Sequence, residues 1–202
     1  MRALSFAALT AGLVSALGLG GCGDSSPNVI FQTSAGQIEI EVYPKKAPLS
    51  AADFLYHVDE GLYDNQGFYR TVTAQTDPLK MGMSIVQGGR LDLVPVTASI
   101  DHEPTGSSGL SNIRGSVSIA RDAVDTGSAA YFFINLDDNL FLNEGGERTS
   151  DRAGFAVFGS VISGLDVLEV IQTGKVQEQG VVPGAENQFL QAPVRIERAY
   201  RK

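Results

Sequence analysis

Apolar and polar residues alternate over short runs along most of this chain, with the two-residue period of half-buried strands. Residues 28–33 and 37–43 alternate in this way on either side of Ser34-Ala35-Gly36, and a glycine at that place predicts a hairpin of the first two strands. Phe68-Tyr69-Arg70-Thr71-Val72 and Ile85-Val86-Gln87-Gly88-Gly89 are two further strands, the second stopping at a glycine pair. Between them, residues 73–83 contain Thr76-Asp77-Pro78, a turn signal, and predict a surface loop. Strands are also predicted at 116–121, at 131–136, at 155–159 and from Pro193 onward.

Helical spacing occurs twice. After Pro48-Leu49-Ser50, the residues Ala51, Phe54, Leu55 and Val58 fall on one helix face, with Ser50 as the predicted N-cap and Gly61 as the stop. Leu165, Leu168 and Ile171 line one face of a second helix over 164–171. Strand-like runs outnumber helical ones, glycine is abundant at 23 residues and tryptophan is absent, so a β-rich fold with many turns is expected.

At 202 residues and 43% hydrophobic content, the chain is long enough for one well-cored domain. Its 15 Lys+Arg against 23 Asp+Glu give a net charge of −8, and the basic footprint expected of a nucleic-acid-binding protein is missing. No metal-ligand cluster or cofactor motif is read from the sequence.

The N-terminus stands apart. Arg2 precedes an uncharged apolar run from Ala3 to Leu19, too short and one-sided for a spanning helix, and residues 1–21 read as an export signal. The run ends in Leu19-Gly20-Gly21-Cys22, which resembles the bacterial lipobox, where a cysteine is lipidated and becomes the mature N-terminus. Cys22 is the chain's only cysteine; the alternative is an ordinary signal cut nearby with an incidental thiol. Arg2 is the leader's only charge, so the remainder carries 14 Lys+Arg against 23 Asp+Glu, a net of −9. Such a domain has no electrostatic affinity for anionic lipid, and attachment would rest on acyl chains at Cys22. Residues 22–27 are then the lipidated cysteine and a short tether, and residues 28–202 the folded domain.

Candidate chemistry centres on Arg70 and Gln87. A guanidinium with five donors and an amide that both donates and accepts, flanked by Phe, Ile and Val on two strands, form a plausible grip on a peptide backbone. His57 has no cysteine or serine partner in the pattern and is expected to be an ordinary helix histidine. An unrelated hydrolase would need a nucleophile motif that the sequence does not contain.

Phe68-Tyr69-Arg70, Gln87-Gly88-Gly89, Asn112-Ile113-Arg114-Gly115, Ile119-Ala120-Arg121, Phe132-Phe133-Ile134 and Val157-Phe158-Gly159 follow the order and rough spacing of the cyclophilin-type peptidyl-prolyl cis-trans isomerases. The resemblance runs from about Val29 to Ala199 and is strongest to the bacterial periplasmic branch. It implies a mainly β fold, a closed eight-stranded antiparallel barrel capped by two α-helices, without a cofactor or metal. By the same resemblance, Arg70, Gln87 and Phe133 are catalytic: the arginine acts on the twisting amide, the glutamine orients a carbonyl and the phenylalanine floors the proline pocket. Ile85, Ala120, Arg121, Phe141, Leu142 and Phe155 fall where the family binds substrate, Arg121 through backbone groups.

The chain also departs from the family. Tyr131 stands where the family usually has glutamine, Ser84 where it has a bulky aromatic, Phe141 where Trp or Phe is common and Phe155 where His is common. The segment between Arg70 and Gln87 is longer than in compact members. The implied function is isomerisation of X-Pro bonds in exported polypeptides at the bacterial cell envelope, facing the periplasm, by a monomer held to the membrane through Cys22. The alternative is a peptide-binding module on the same fold with weak or absent turnover.

Overall fold

Eight antiparallel strands close on one another in the computed structural model, which describes residues 26–202 other than 97, 182 and 183. The expected leader at 1–21, Cys22 and the tether as far as residue 25 lie outside the described residues. In chain order the elements are β1 (Asn28–Thr33), β2 (Gly36–Val42), α1 (Pro48–Asp59), β3 (Gly67–Val72), β4 (Ile85–Gly89), α2 (Thr105–Ser108), β5 (Ser116–Ile119), β6 (Tyr131–Asn135), β7 (Val157–Ser163), α3 (Leu165–Gln172) and β8 (Phe189–Arg201). A single 3-10 turn spans Leu140–Leu142. Around the barrel the order is β1-β2-β7-β5-β6-β4-β3-β8, and β8 returns to β1.

The expected barrel is therefore present, with three α-helices rather than two among the described residues. The additional one, α2, is a four-residue Thr-Gly-Ser-Ser turn. It has no apolar period by which a sequence could announce it. The last two strands also differ from their predicted bounds: β7 begins at Val157, not residue 155, and β8 begins at Phe189, four residues before Pro193.

The start of α1 is a second correction. Its N-cap is Ala47, with Pro48 in the first turn and no side-chain cap, whereas Ser50 lies inside the helix and is fully buried. The free N–H groups of Leu49 and Ser50 donate instead to the carboxylate of Glu103, at 2.9 and 2.7 Å, and the Ser50 hydroxyl adds a bond of 2.6 Å. A capping acceptor 53 residues away leaves no local signature, yet it meets the same need as an N-cap side chain and places negative charge at the helix N-terminus.

Inside the barrel, Phe31, Phe54, Tyr63, Phe68, Phe132 and Phe158 are fully buried and meet at centroid distances of 4.8–6.4 Å. Each such side chain contributes about 1.5–3 kcal/mol on burial. Helix α1 delivers Phe54, Leu55 and Val58 to this core, and α3 delivers Leu168 and Ile171.

One irregularity in β3 positions the functional face. Phe68 pairs with Gly88 and Arg70 with Gln87, so Tyr69 is an extra residue with no partner of its own on β4. Simple alternation would put Phe68 and Arg70 on the same side. The bulge breaks that alternation: Phe68 stays in the barrel interior while Arg70 comes out beside Gln87. Gly88 and Gly89 permit the close packing opposite. A Cβ on Gly88 would sit 2.7 Å from the Phe68 ring, and Gly89 has φ of 125° with Ala130 O only 2.1 Å from where a Cβ would be.

Candidate active site

The strand register assembles the site from a single rung. Phe189 on β8 is opposite Arg70 on β3, Arg70 is opposite Gln87 on β4, and Gln87 is opposite Phe133 on β6. The three residues with implied catalytic roles are thus side by side, although 63 positions separate Arg70 from Phe133 in the chain. They face a groove of about 530 Å³ on the side of the sheet opposite the aromatic core.

Two apolar patches flank the polar pair. On one side Ile85, Phe133 and Leu142 pack with Val72 and Met83, and Ala120 and Phe155 complete the wall. Phe155 meets Phe133 edge-on at 5.3 Å and 86°. On the other side Tyr69 stacks on Phe189 at 6.1 Å, with Ala185 and Tyr131 against them. Burial pushes the Tyr69 phenol well above its ordinary range, and the neighbouring Arg70 charge opposes that rise.

Arg70 is held by neutral partners. Its Nε and Nη2 donate to Gln188 Oε1 at 2.9 and 2.5 Å, and its Nη1 donates to Gln87 Oε1 at 2.8 Å. Three of five donors are committed, leaving one N–H on each terminal nitrogen. Because Gln87 accepts from Arg70 through oxygen, its amide N–H groups are left to donate elsewhere. Burial lowers the Arg70 pKa, and the positive charge of Arg148 acts in the same direction. A guanidinium nonetheless remains charged across the working pH range.

Ile85, Ala120, Arg121, Leu142 and Phe155 all line the groove, as does Phe133. Phe141 does not line it and packs against the apolar cluster behind that wall. Four of the five Arg121 donors are committed: the guanidinium donates to both oxygens of Asp151 at 2.7 and 2.9 Å and twice to Gly154 O, and lies 5.3 Å over the Phe155 ring. These bonds hold the Asp151 carboxyl well below the usual carboxylate range. They also brace Phe155, and leave the backbone of Arg121 as the part that can meet a peptide.

Ser84 does not point into the pocket at all. Its hydroxyl accepts from Gln172 Nε2 at 3.0 Å and its backbone is held by the Asn139 amide, so the wall expected at this position is supplied one residue earlier by Met83. The loop containing Met83 is also less superficial than expected. Asp77 is fully buried, accepting from the N–H groups of Leu79, Met81 and Met83 and from Arg148 Nη1 at 2.5 Å. A buried carboxylate must be paired and hydrogen-bonded, and that requirement pulls the loop down.

Gln188, Met83, Tyr69, Phe189 and Arg148 were not singled out from the sequence. Only Tyr69, beside Arg70, carried a local signal; the others come from distant segments. Asn112 is a further support. Its amide nitrogen donates to Leu142 O, Asn143 Oδ1 and Phe155 O at 3.1, 3.0 and 3.2 Å, fixing two pocket residues from below. His57 is not in the groove; its Nδ1 meets Asp53 within α1. Among the described residues no group of three or more His, Cys, Asp or Glu is placed to hold a metal ion, and no helix is long and apolar enough to cross a membrane.

Residues 28–201 match the family model described as cyclophilin type peptidyl-prolyl cis-trans isomerase/CLD. Similar proteins include peptidyl-prolyl cis-trans isomerase A of Dickeya dadantii, 33% identical over 79% of this chain and 77% of the relative, and a peptidyl-prolyl cis-trans isomerase of Acinetobacter baylyi, 37% identical over 71% and 70%. Among solved structures, a Cryptosporidium parvum cyclophilin type peptidyl-prolyl cis-trans isomerase superimposes with a TM-score of 0.65 at 19% identity, over 88% of this chain and 98% of that one. The same Cryptosporidium protein in the presence of the dipeptide Ala-Pro gives a TM-score of 0.64. With a match across nearly all the described residues and relatives above 30% identity, this chain belongs to the cyclophilin-type peptidyl-prolyl cis-trans isomerase family.

Proposed function

We propose that this protein isomerises X-Pro bonds of exported polypeptides at the bacterial cell envelope, with Arg70 stabilising the twisted amide. The observation that carries the mechanism is Arg70 itself: a charged guanidinium, fixed by two neutral glutamine side chains, with N–H groups to spare over an apolar pocket.

Rotating an X-Pro bond crosses a barrier of about 18–20 kcal/mol because amide resonance must be broken. As the bond twists, the prolyl nitrogen pyramidalises and regains a lone pair. A guanidinium N–H beside it binds that form better than the planar one, which is transition-state stabilisation in the strict sense. Because Arg70 has no carboxylate among its hydrogen-bond partners in the described residues, its charge stays directed at the substrate. The Gln87 N–H groups hold a carbonyl on one side of the rotating bond. Phe133, Ile85, Met83, Leu142 and Phe155 grip the proline ring and exclude water. Each tenfold in rate needs about 1.4 kcal/mol, so a few such contacts suffice for a useful acceleration.

Export and anchoring rest on the sequence: Arg2, the uncharged run to Leu19 and the Leu19-Gly20-Gly21-Cys22 ending support a lipid-anchored protein on the periplasmic side. One observation favours a second reading, a peptide-binding module with slow turnover. Tyr131 projects into the groove, where its hydroxyl bonds Val94 O at 2.6 Å.

The deciding experiment measures X-Pro isomerisation by exchange NMR for the mature protein and for Arg70→Ala, beside melting curves. Turnover lost in a folded variant supports the mechanism; equal turnover in both would remove Arg70 from it, and no turnover in the unmodified protein would favour the binding module.

A further inference from the structure

Of the ionisable side chains along the groove, three are arginines, Arg70, Arg121 and Arg148, and one is an acid, Asp122. Two of the three arginines are paired with carboxylates, Arg121 with Asp151 and Arg148 with Asp77. The three arginines are not equivalent. Arg121 is consumed by Asp151 and Gly154 O, and Arg70 serves the rotating bond in the function proposed above. Arg148 remains.

Arg148 sits on the segment between Leu142 and β7, opposite the long loop between β3 and β4. Its Nη1 donates to Asp77 Oδ1 at 2.5 Å; Asp77 is sealed from solvent, whereas the Arg148 side chain retains 12% exposure and lines the groove. Asp77 is also saturated by three backbone N–H groups of its own loop. The carboxylate therefore works as a buried anchor behind Arg148, fixing the guanidinium while Nη1 is its only donor with a partner among the described residues. The Nε and Nη2 edge is left for a ligand. Arg148 and Arg70 line the same groove, and the charge of each opposes that of the other.

We propose that Arg148 forms an acidic-residue subsite, so that the groove prefers proline segments carrying Glu or Asp one or two positions from the proline. This deepens the isomerase reading and rests on it. The ligand edge of a guanidinium is a planar fork matched to carboxylate geometry, and here the fork is pre-positioned by Asp77. Met83, whose N–H is tied to Asp77 Oδ2, forms the adjoining pocket wall, which places the subsite next to the proline ring.

The test uses the mature protein and matched peptides with Glu, Gln or Lys at each of the two positions before and after a single proline, read by kcat/KM and, with fluorescein-labelled peptides, by anisotropy. At one position Glu is expected to exceed Gln by about fivefold, with Lys below both and the advantage shrinking in high salt. The double variant Asp77→Asn/Arg148→Gln removes both charges without stranding a buried carboxylate; if it melts as the unmodified protein does, the Glu-over-Gln ratio should fall to near one. A ratio near one at every position in the unmodified protein, or a preference that survives in the double variant, overturns the proposal. If no peptide is turned over, the isomerase reading falls separately, and the anisotropy ratio alone decides the subsite.

Discussion

Gln188 Oε1 accepts from Arg70 at both Nε and Nη2, and Gln188 Nε2 donates to Thr76 O at 2.8 Å. A fully buried amide thus ties the key guanidinium to the long loop between β3 and β4. Gln188 touches the arginine and not the groove, so it is a positioning residue. Gln188→Leu keeps the volume and removes all three bonds. It is expected to lower kcat/KM by about ten- to hundredfold, mainly in kcat, because a small misplacement of a reacting group is costly. Kinetics beside a melting curve check this; a folded variant with unaltered kcat would show that Gln87 alone orients Arg70.

The strands were legible because they are local: two-residue alternation marks them, and glycines at 88 and 89 mark close packing, whereas the closed barrel and the grouping of Arg70, Gln87 and Phe133 came from the family resemblance carried by the order of motifs. What the sequence hid is long-range. The bulge at Tyr69 depends on pairing with β4, the cap of α1 on Glu103, and the wall expected near Ser84 on a loop anchored by Asp77. Gln188 and Arg148 have no motif at all. Each became visible only as the partner of a buried group that required one.

Asn112 offers a test of how the pocket is braced. Its amide bonds Leu142 O and Phe155 O, and its oxygen accepts from the Ser118 hydroxyl at 2.8 Å. Asn112→Leu takes a partner from Phe155 O and from the buried Ser118 hydroxyl, at a cost of about 1–3 kcal/mol for a buried group left unpaired, while Leu142 O keeps the Phe155 N–H. The expected result is a lower melting temperature together with a raised KM, since the pocket wall loosens. An unchanged KM in a destabilised variant would separate Asn112 from the pocket.

The Asp53–His57 pair gives the fold a pH signature. Asp53 Oδ1 lies 3.4 Å from His57 Nδ1. Burial opposes charge on His57, but the bonds to Asp53 outweigh it, and its pKa is raised above the ordinary 6.5. Burial likewise opposes charge on Asp53, while His57, the Ala129 N–H and the Ser128 hydroxyl bring its pKa below the ordinary 3.8. A raised base stabilises fully below its unfolded pKa and loses that contribution as pH rises through its folded value. A depressed acid stabilises above its unfolded pKa and loses that contribution as pH falls through its folded value. The pair therefore contributes most between about pH 4 and 6.5. The melting-temperature difference between the unmodified protein and Asp53→Asn should be largest in that window and shrink toward pH 8; a difference independent of pH would rule out the ion pair as its source.

Membrane attachment is predicted to depend on one atom, the Cys22 sulfur. With residues 1–21 removed the chain would carry 14 Lys+Arg against 23 Asp+Glu, and electrostatics would not draw it to anionic lipid. Cys22→Ser should move the protein from the membrane pellet to the soluble envelope fraction. A serine variant that is processed normally and still pellets with membranes would refute the anchor.

Tyr131 lines the groove and ties down its rim. It stands on β6 opposite Gly89, and its hydroxyl donates to Val94 O at 2.6 Å, pinning the segment after β4 against the groove next to Leu93 and Pro95. The phenol also lies 3.4 Å from Asp92 Oδ1, and burial raises its pKa above the ordinary 10.0, so it stays neutral and donating at working pH. Tyr131→Gln removes the ring and shortens the reach to Val94. A short X-Pro peptide depends on Arg70, Gln87 and the Phe133 pocket, and its kcat/KM should change by less than about threefold, under 1 kcal/mol. A longer peptide crosses the Tyr131 end of the groove, and its KM should fall by about tenfold as the obstruction is relieved, with kcat little altered. Tyr131→Phe separates the two contributions of this side chain. It keeps the ring and loses only a solvent-accessible hydrogen bond of about 0.5–1.5 kcal/mol, so it should free the loop without opening the groove. Equal KM values for long peptides in the unmodified protein and the glutamine variant would show that the segment around Val94, and not the Tyr131 ring, sets the width.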